Sequence, residues 1–342
     1  GQKSWNYTPP TGFVALQQDN LPETAKGIVG LTWIKDRDNA YSGGLRDSSR
    51  GRHKDVFSNL TQAEVTNTDG VQKFLKGGIQ IEDLTGLNAS GASIVSWNWV
   101  ANGGTTASNT NGSITSTVQA NTTAGFSIVE YTGTGSAGTV GHGLSSAPEW
   151  VMSKSRSNDT GDGFTTYHTG LTSASYYVDL SKTNAQASAS VVWNGTAPTS
   201  SVFSIGTATG TNTSSATYIA YCWHSVEGFS KFGSYTGTTS SDGPFIYTGF
   251  TPSWVMIKRI SSTGEWFILD KARNPNNTGT KGYLDADTSD AEGTLDAGAL
   301  DWLSNGFKLR QNSSQINNGT HIYMAFAEHP FIGDGTNPVT AI

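Results

Sequence analysis

The chain has 342 residues, of which 27 are acidic and 21 basic, giving a net charge of −6 with only 14% charged residues. That balance excludes a surface built to bind nucleic acid or another polyanion, and the length allows two to three domains at roughly 150 residues each. A single cysteine, Cys222, excludes an internal disulfide framework and any multi-cysteine metal centre.

Residues 1–26 read as a lead-in. A first unit, 27–103, reaches Trp33-Ile34-Lys35 with little chain before it, so an opening strand present in the later units is missing. Within this unit, 63–74 could hold a short helix or turn. The unit closes where Val95, Trp97 and Trp99 alternate with Ser96 and Asn98, a period-two pattern that predicts a strand covering a core with one face only. Residues 104–123, rich in Gly, Ser, Thr and Asn, read as a linker. A second unit, 124–228, carries expected strands at 125–131, 150–154, 164–168, 201–205 and 218–223. A third, 229–331, carries them at 229–235, 254–259, 265–269, 306–309 and 322–327, with a second helix-or-turn stretch at 291–302. Residues 332–342 form a tail.

Internal repetition supports this division. Tyr131-Thr132-Gly133-Thr134 recurs as Tyr235-Thr236-Gly237-Thr238, an offset of 235 − 131 = 104. The same offset matches Trp150-Val151-Met152 and Lys154 with Trp254-Val255-Met256 and Lys258. An offset of 292 − 64 = 228 matches Ala63-Glu64 with Ala291-Glu292. The closing pattern returns as Ile219, Tyr221 and Trp223, and as Ile322, Met324 and Phe326. Short strands separated by turn residues predict an all-β chain of three tandem antiparallel β-sandwich repeats, jelly-roll or lectin-like. No apolar run approaches the roughly 18 residues of a membrane span, so no membrane insertion is expected.

Few residues carry a chemical signal. Cys222 and His224 fall two apart on one face of a strand, about 7 Å from each other, and Cys222 reads as a small buried thiol rather than a nucleophile. Asp285-Ala286-Asp287-Thr288-Ser289-Asp290 resembles the start of a calcium loop, yet Asp290 stands where that loop needs glycine and Asp296 where it needs a bidentate glutamate. A solvated acidic loop is the favoured reading, with Asp285, Asp287 and Asp290 the calcium candidates. The tryptophans at 33, 97, 99, 150, 223, 254, 266 and 302 recur at strand positions that suit core packing better than sugar stacking. No hydrolase or nucleotide motif is present, and no catalytic residue, cofactor or enzyme activity is expected.

Trp254–Arg259 (Trp-Val-Met-Ile-Lys-Arg), Ser304–Arg310 (Ser-Asn-Gly-Phe-Lys-Leu-Arg) and Ile322–Glu328 (Ile-Tyr-Met-Ala-Phe-Ala-Glu) resemble an uncharacterised repeat domain of large virion proteins in marine tailed bacteriophages. The run Tyr7-Thr8-Pro9-Pro10-Thr11-Gly12-Phe13-Val14-Ala15-Leu16 resembles the end of a SPRY-like domain that precedes the repeat in such proteins, which suggests a fragment of a longer chain. The resemblance implies a non-enzymatic virion structural protein of a tail fibre or other appendage, with a contribution to host attachment. A carbohydrate-binding adhesin module and a capsid-decorating protein are the alternatives. Expected partners are identical chains in a homo-oligomer, a trimer by analogy with fibres, other virion proteins, and a host surface glycan or receptor. Open sheet edges with few prolines to blunt them point towards assembly as well.

Overall fold

Alternating side chains between glycine-rich turns yield strands almost throughout: the computed structural model is 45% strand and 4% helix. It describes residues 30–75, 78–101, 106–295 and 299–328; the lead-in at 1–26 and the tail at 332–342 lie outside the described residues. The all-β expectation holds, with every paired strand antiparallel to its neighbour.

Three large sheets carry the fold. The first orders its strands Val65–Thr66, Lys54–Phe57, Gly44–Asp47, Gly30–Asp36 and Ile94–Val100. The middle one runs Ala187–Ser188, Tyr176–Asp179, Thr165–His168, Trp150–Ser155, Thr217–Trp223, Phe126–Thr132, Ser116–Asn121 and Ala107–Asn109. The third runs Ser230–Thr238, Asn318–Ala327, Pro252–Arg259, Trp266–Asp270, Lys281–Asp285 and Gly293–Leu295. The registers correspond: Trp33 pairs with Trp97, Met152 with Tyr221, and Met256 with Met324.

Each large sheet has two buried faces over its central strands. One face packs on a small sheet of its own. Val71–Leu75 and Gly78–Ile81 cover Ile34; Gly138–Gly141 and Val202–Ile205 cover Val129, Val151 and Ala220; Phe245–Tyr247, Gly306–Leu309 and Leu300–Leu303 cover Val255, Ile257 and Tyr323. The other faces converge on one shared core in which Trp33, Trp97 and Trp99 meet Trp150 and Trp223 of the middle sheet and Trp254, Met256 and Phe326 of the third. Ring centroids of Trp99 lie 6.0 Å from Trp223, 5.6 Å from Trp254 and 5.7 Å from Phe326, edge to face. Such contacts add about 0.5–1.5 kcal/mol per pair beyond burial.

The local expectations fare unevenly. The strands expected at 150–154, 218–223 and 306–309 form as Trp150–Ser155, Thr217–Trp223 and Gly306–Leu309. Residues 104–123 are not a simple linker: Ala107–Asn109 and Ser116–Asn121 extend the middle sheet, because Ile114 and Val118 reach its second core. Among the described residues the stretch at 63–74 holds a turn at Thr68–Asp69 between the strands Val65–Thr66 and Val71–Leu75, and the stretch at 291–302 holds strands, including Leu300–Leu303, with no helix in either. One-sided burial holds for Ile94–Val100, where Ser96 and Asn98 are exposed, but fails for the other two closing strands. There the small residues Ala220, Cys222 and Ala325 face the second core.

Candidate functional site

The residues with the most unusual environments collect where the three sheets meet. Lys35, Lys154 and Lys258 follow two residues after Trp33, Met152 and Met256, and all three are buried. Their amines reach carbonyls of another sheet in cyclic order. Lys35 Nζ donates to Thr288 O at 3.0 Å, Lys154 Nζ to Leu60 O, and Lys258 Nζ to Thr183 O at 2.8 Å and Lys182 O at 3.4 Å. Burial lowers each amine from its ordinary 10.5 to about 8, despite nearby carboxylates that favour the charged form.

Two residues beyond each lysine a second latch recurs. Arg37 O accepts the N–H of Glu292 at 2.7 Å, Arg156 O that of Glu64 at 2.9 Å, and Ile260 O that of Gln186 at 3.1 Å. The first two carry ion pairs, with Arg37 Nε 2.7 Å from Glu292 and Arg156 Nε 2.9 Å from Glu64. At the third, Ile260 and Gln186 replace the charges.

An Asp-x-x-Arg turn braces two of these junctions. Arg50 contacts Asp47, Glu64 at 3.1 Å and the Leu45 carbonyl, while Tyr221 of the middle sheet donates to Asp47 at 2.7 Å. Arg273 likewise contacts Asp270 at 2.7 Å and Glu292 at 3.0 Å, and Trp97 of the first sheet donates to Asp270 at 3.1 Å. The middle sheet places His168 and Leu171 there instead. His168 Nε2 lies 3.2 Å from Tyr323 O, and burial pulls its imidazole down to about 3, so it sits neutral. Sequence reasoning missed these groups, although the shared Asp-x-x-Arg spacing was a readable signal.

The calcium candidates fall beside this junction. Asp285 ends the strand Lys281–Asp285, and Asp287 accepts the Trp266 N–H at 3.0 Å. The Asp290 N–H turns back on Thr288 Oγ1 at 3.1 Å, and Asp296 lies outside the described residues. Burial, together with the neighbouring Glu265, raises Asp285 to about 7 and Asp287 to about 8. Among the described residues no group of three or more His, Cys, Asp or Glu side chains is placed to hold a metal.

Cys222 lies fully buried opposite Ser127, and desolvation pushes its thiol up, which disfavours the reactive thiolate. His224 contacts the Ser225 carbonyl at 2.9 Å. The tryptophans at 33, 97, 99, 150, 223, 254, 266 and 302 are all buried, and of them Trp97, Trp99 and Trp254 border a cavity.

One edge of the junction is uncovered among the described residues. Phe126–Thr132 and Ser230–Thr238 flank the closing strands of the middle and third sheets, but Ile94–Val100 has no described strand on that side. A cavity of about 530 Å³ lies along it, walled by Trp97, Trp99, Phe126, Phe229, Trp254 and Phe326.

No helix among the described residues is long and apolar enough to cross a membrane. No curated protein and no solved structure matches the chain. Residues 23–330, spanning all three sheets, match the family described as a domain of unknown function, DUF7483, and the chain belongs to that family.

Proposed function

We propose that the chain is a non-enzymatic structural protein of a bacteriophage virion, part of a tail fibre or other appendage, where it serves as a rigid spacer contributing to host attachment. The observation that carries this reading is how the junction uses its charged groups. The buried lysines Lys35, Lys154 and Lys258 and the ion pairs Arg37–Glu292 and Arg156–Glu64 are spent on sheet-to-sheet contacts, so these groups hold three sheets around one aromatic core. The resemblance of the strand sequences to repeats of marine phage virion proteins is what supports a location in the virion.

Sheet edges left unpaired among the described residues, such as that of Ile94–Val100, support assembly with identical chains, for which a trimer is the natural closed form in a fibre. Electron microscopy of intact particles carrying a label on this chain tests the reading. Label along a tail appendage is the expected result. Label on the head would favour a capsid-decorating protein, and no label on purified particles would remove the virion role. Sedimentation at micromolar concentration tests assembly, with a single monomeric species counting against it.

A further inference from the structure

Phe245 and Tyr247 are 44% and 64% exposed, two of only five large apolar side chains so exposed among the described residues. They project from the same face of the strand Phe245–Tyr247, while Ile246 between them is buried. Their side of the strand is kept clear by Gly306, which pairs with Tyr247; a Cβ there would stand 2.9 Å from the Phe245 ring and 2.1 Å from Ile246 O.

The middle sheet handles the matching strand differently. Val140 pairs with Phe203 as Ile246 pairs with Phe307, which places Thr139 and Gly141 at the positions of Phe245 and Tyr247. Those small residues lie under residues 109–114. Ser113 and Thr139 exchange hydrogen bonds of 2.9 Å, and a Cβ on Gly141 would stand 2.0 Å from Asn109 Oδ1. In the third sheet no described segment covers this face, and two aromatic rings occupy it.

Beside the rings lies a cavity of about 340 Å³, walled by Ser225, Glu227, Lys231, Tyr247, Thr248 and Gly249 among others. This is near the lower end of the range for small-ligand pockets, about 300–1,000 Å³. Among the described residues, Glu227, Lys231 and the Tyr247 hydroxyl have no ion-pair or hydrogen-bond partner.

We propose that this shelf and cavity form a carbohydrate-binding site, with a sugar ring stacked on Tyr247 at the cavity mouth, its hydroxyls met by Glu227 and Lys231, and Phe245 extending the apolar shelf beyond it. A sugar presents apolar C–H faces and a rim of hydroxyls that both donate and accept. The shelf supplies apolar rings, and the cavity wall carries both an acceptor-only carboxylate and a donor-only ammonium. A purely apolar ligand would strip water from both charges without replacing it. A polyanion would meet Glu227 as well as Lys231, on a chain of net charge −6. The inference goes beyond the scaffold role and stands apart from where the chain sits in a particle.

The test is a printed array of bacterial surface polysaccharides and short oligosaccharides, probed with the full chain, followed by calorimetric titration of the strongest binder. Wild type should bind at least one saccharide. Tyr247→Ala should weaken it at least tenfold, Glu227→Gln should weaken it less, and Tyr41→Ala, exposed elsewhere, should leave it unchanged. Both shelf positions lie on the surface, and equal melting temperatures would show that the variants fold. No saccharide bound by wild type overturns the proposal, as does binding that survives the Phe245→Ala/Tyr247→Ala double variant. If that variant instead dissociates an oligomer in sedimentation without changing sugar binding, the shelf is a protein contact and the proposal falls.

Discussion

Arg37 and Glu292, 255 residues apart in the chain, meet in a two-pronged ion pair with Nε–Oε2 2.7 Å and Nη2–Oε1 3.0 Å. The contact joins the first sheet to the third and closes a cycle whose other links are Glu64 with Arg156 and Gln186 with Ile260. Three sheets in an open row would leave the outer two with unmatched apolar faces. Closure lets every large sheet share its inner face with both others.

Glu292 holds both Arg37 and the nearly buried Arg273, so removing it strands a desolvated guanidinium with only Asp270 left as ion-pair partner. Glu292→Gln should destabilise by about 1–3 kcal/mol, read from denaturant midpoints. Arg37→Gln, at a side chain one-third exposed, should cost less than about 1 kcal/mol. Equal losses would mean that the closing pair, and not Arg273, carries the effect.

The lysines should rank by the carbonyls they serve. Lys258 Nζ donates to Lys182 O, Thr183 O and Gly264 O, whereas Lys154 has a single such partner in Leu60 O. Methionine preserves much of the volume but leaves these acceptors dry, at about 1–3 kcal/mol for each unsatisfied group. Lys258→Met should therefore lower the melting temperature more than Lys154→Met; the reverse order would show that the carbonyl contacts do not set the ranking.

Stability should fall between mildly acidic and mildly basic pH through Asp287. Its carboxyl titrates at about 8 instead of 3.8, raised by burial and by Glu265, so the folded state holds a proton that the unfolded state releases across that window. The contribution is complete below about pH 4 and is lost as pH rises through about 8. Lys258, lowered by burial from 10.5 to about 8, acts above that window, where its effect favours the folded state as pH rises. Asp287→Asn keeps an acceptor for the Trp266 N–H and removes the titration. Between pH 5 and pH 8 Asp287→Asn should lose less melting temperature, or gain more, than wild type, the buried His142, His168 and His321 acting in the opposite direction below about 6.5 in both proteins. An unchanged difference would place the pH dependence elsewhere.

Because the sheets share the Trp33, Trp99, Trp223 and Trp254 core, they should unfold together. Calorimetry should show one transition, and Trp99→Ala, at about 3–5 kcal/mol, should move it as a whole. Separate transitions for separate regions would mean that the small-sheet cores suffice for independent folding.

Much of the strand layout is written locally. Alternation fixed Thr217–Trp223, and the 104-residue offset placed Trp150 and Trp254 at matching positions, where Trp150 pairs with Trp223 and Trp254 with Phe326. Local pattern could not reveal that Ala220, Cys222 and Ala325 are buried too, since small residues suit a solvent face or a tight second core equally well. Nor could it show Ser116–Asn121 as a strand, because its polar residues gain order only from pairing with Phe126–Thr132. The sequence by itself determined an all-β chain of aromatic strands and glycine turns, through side-chain period and turn chemistry. Tertiary structure alone decided that the sheets close on one another, that their lysines and arginines serve as latches, and that Tyr247 is far more exposed than any described tryptophan. Each of these depends on contacts between residues far apart in the chain, which the order of residues does not encode locally.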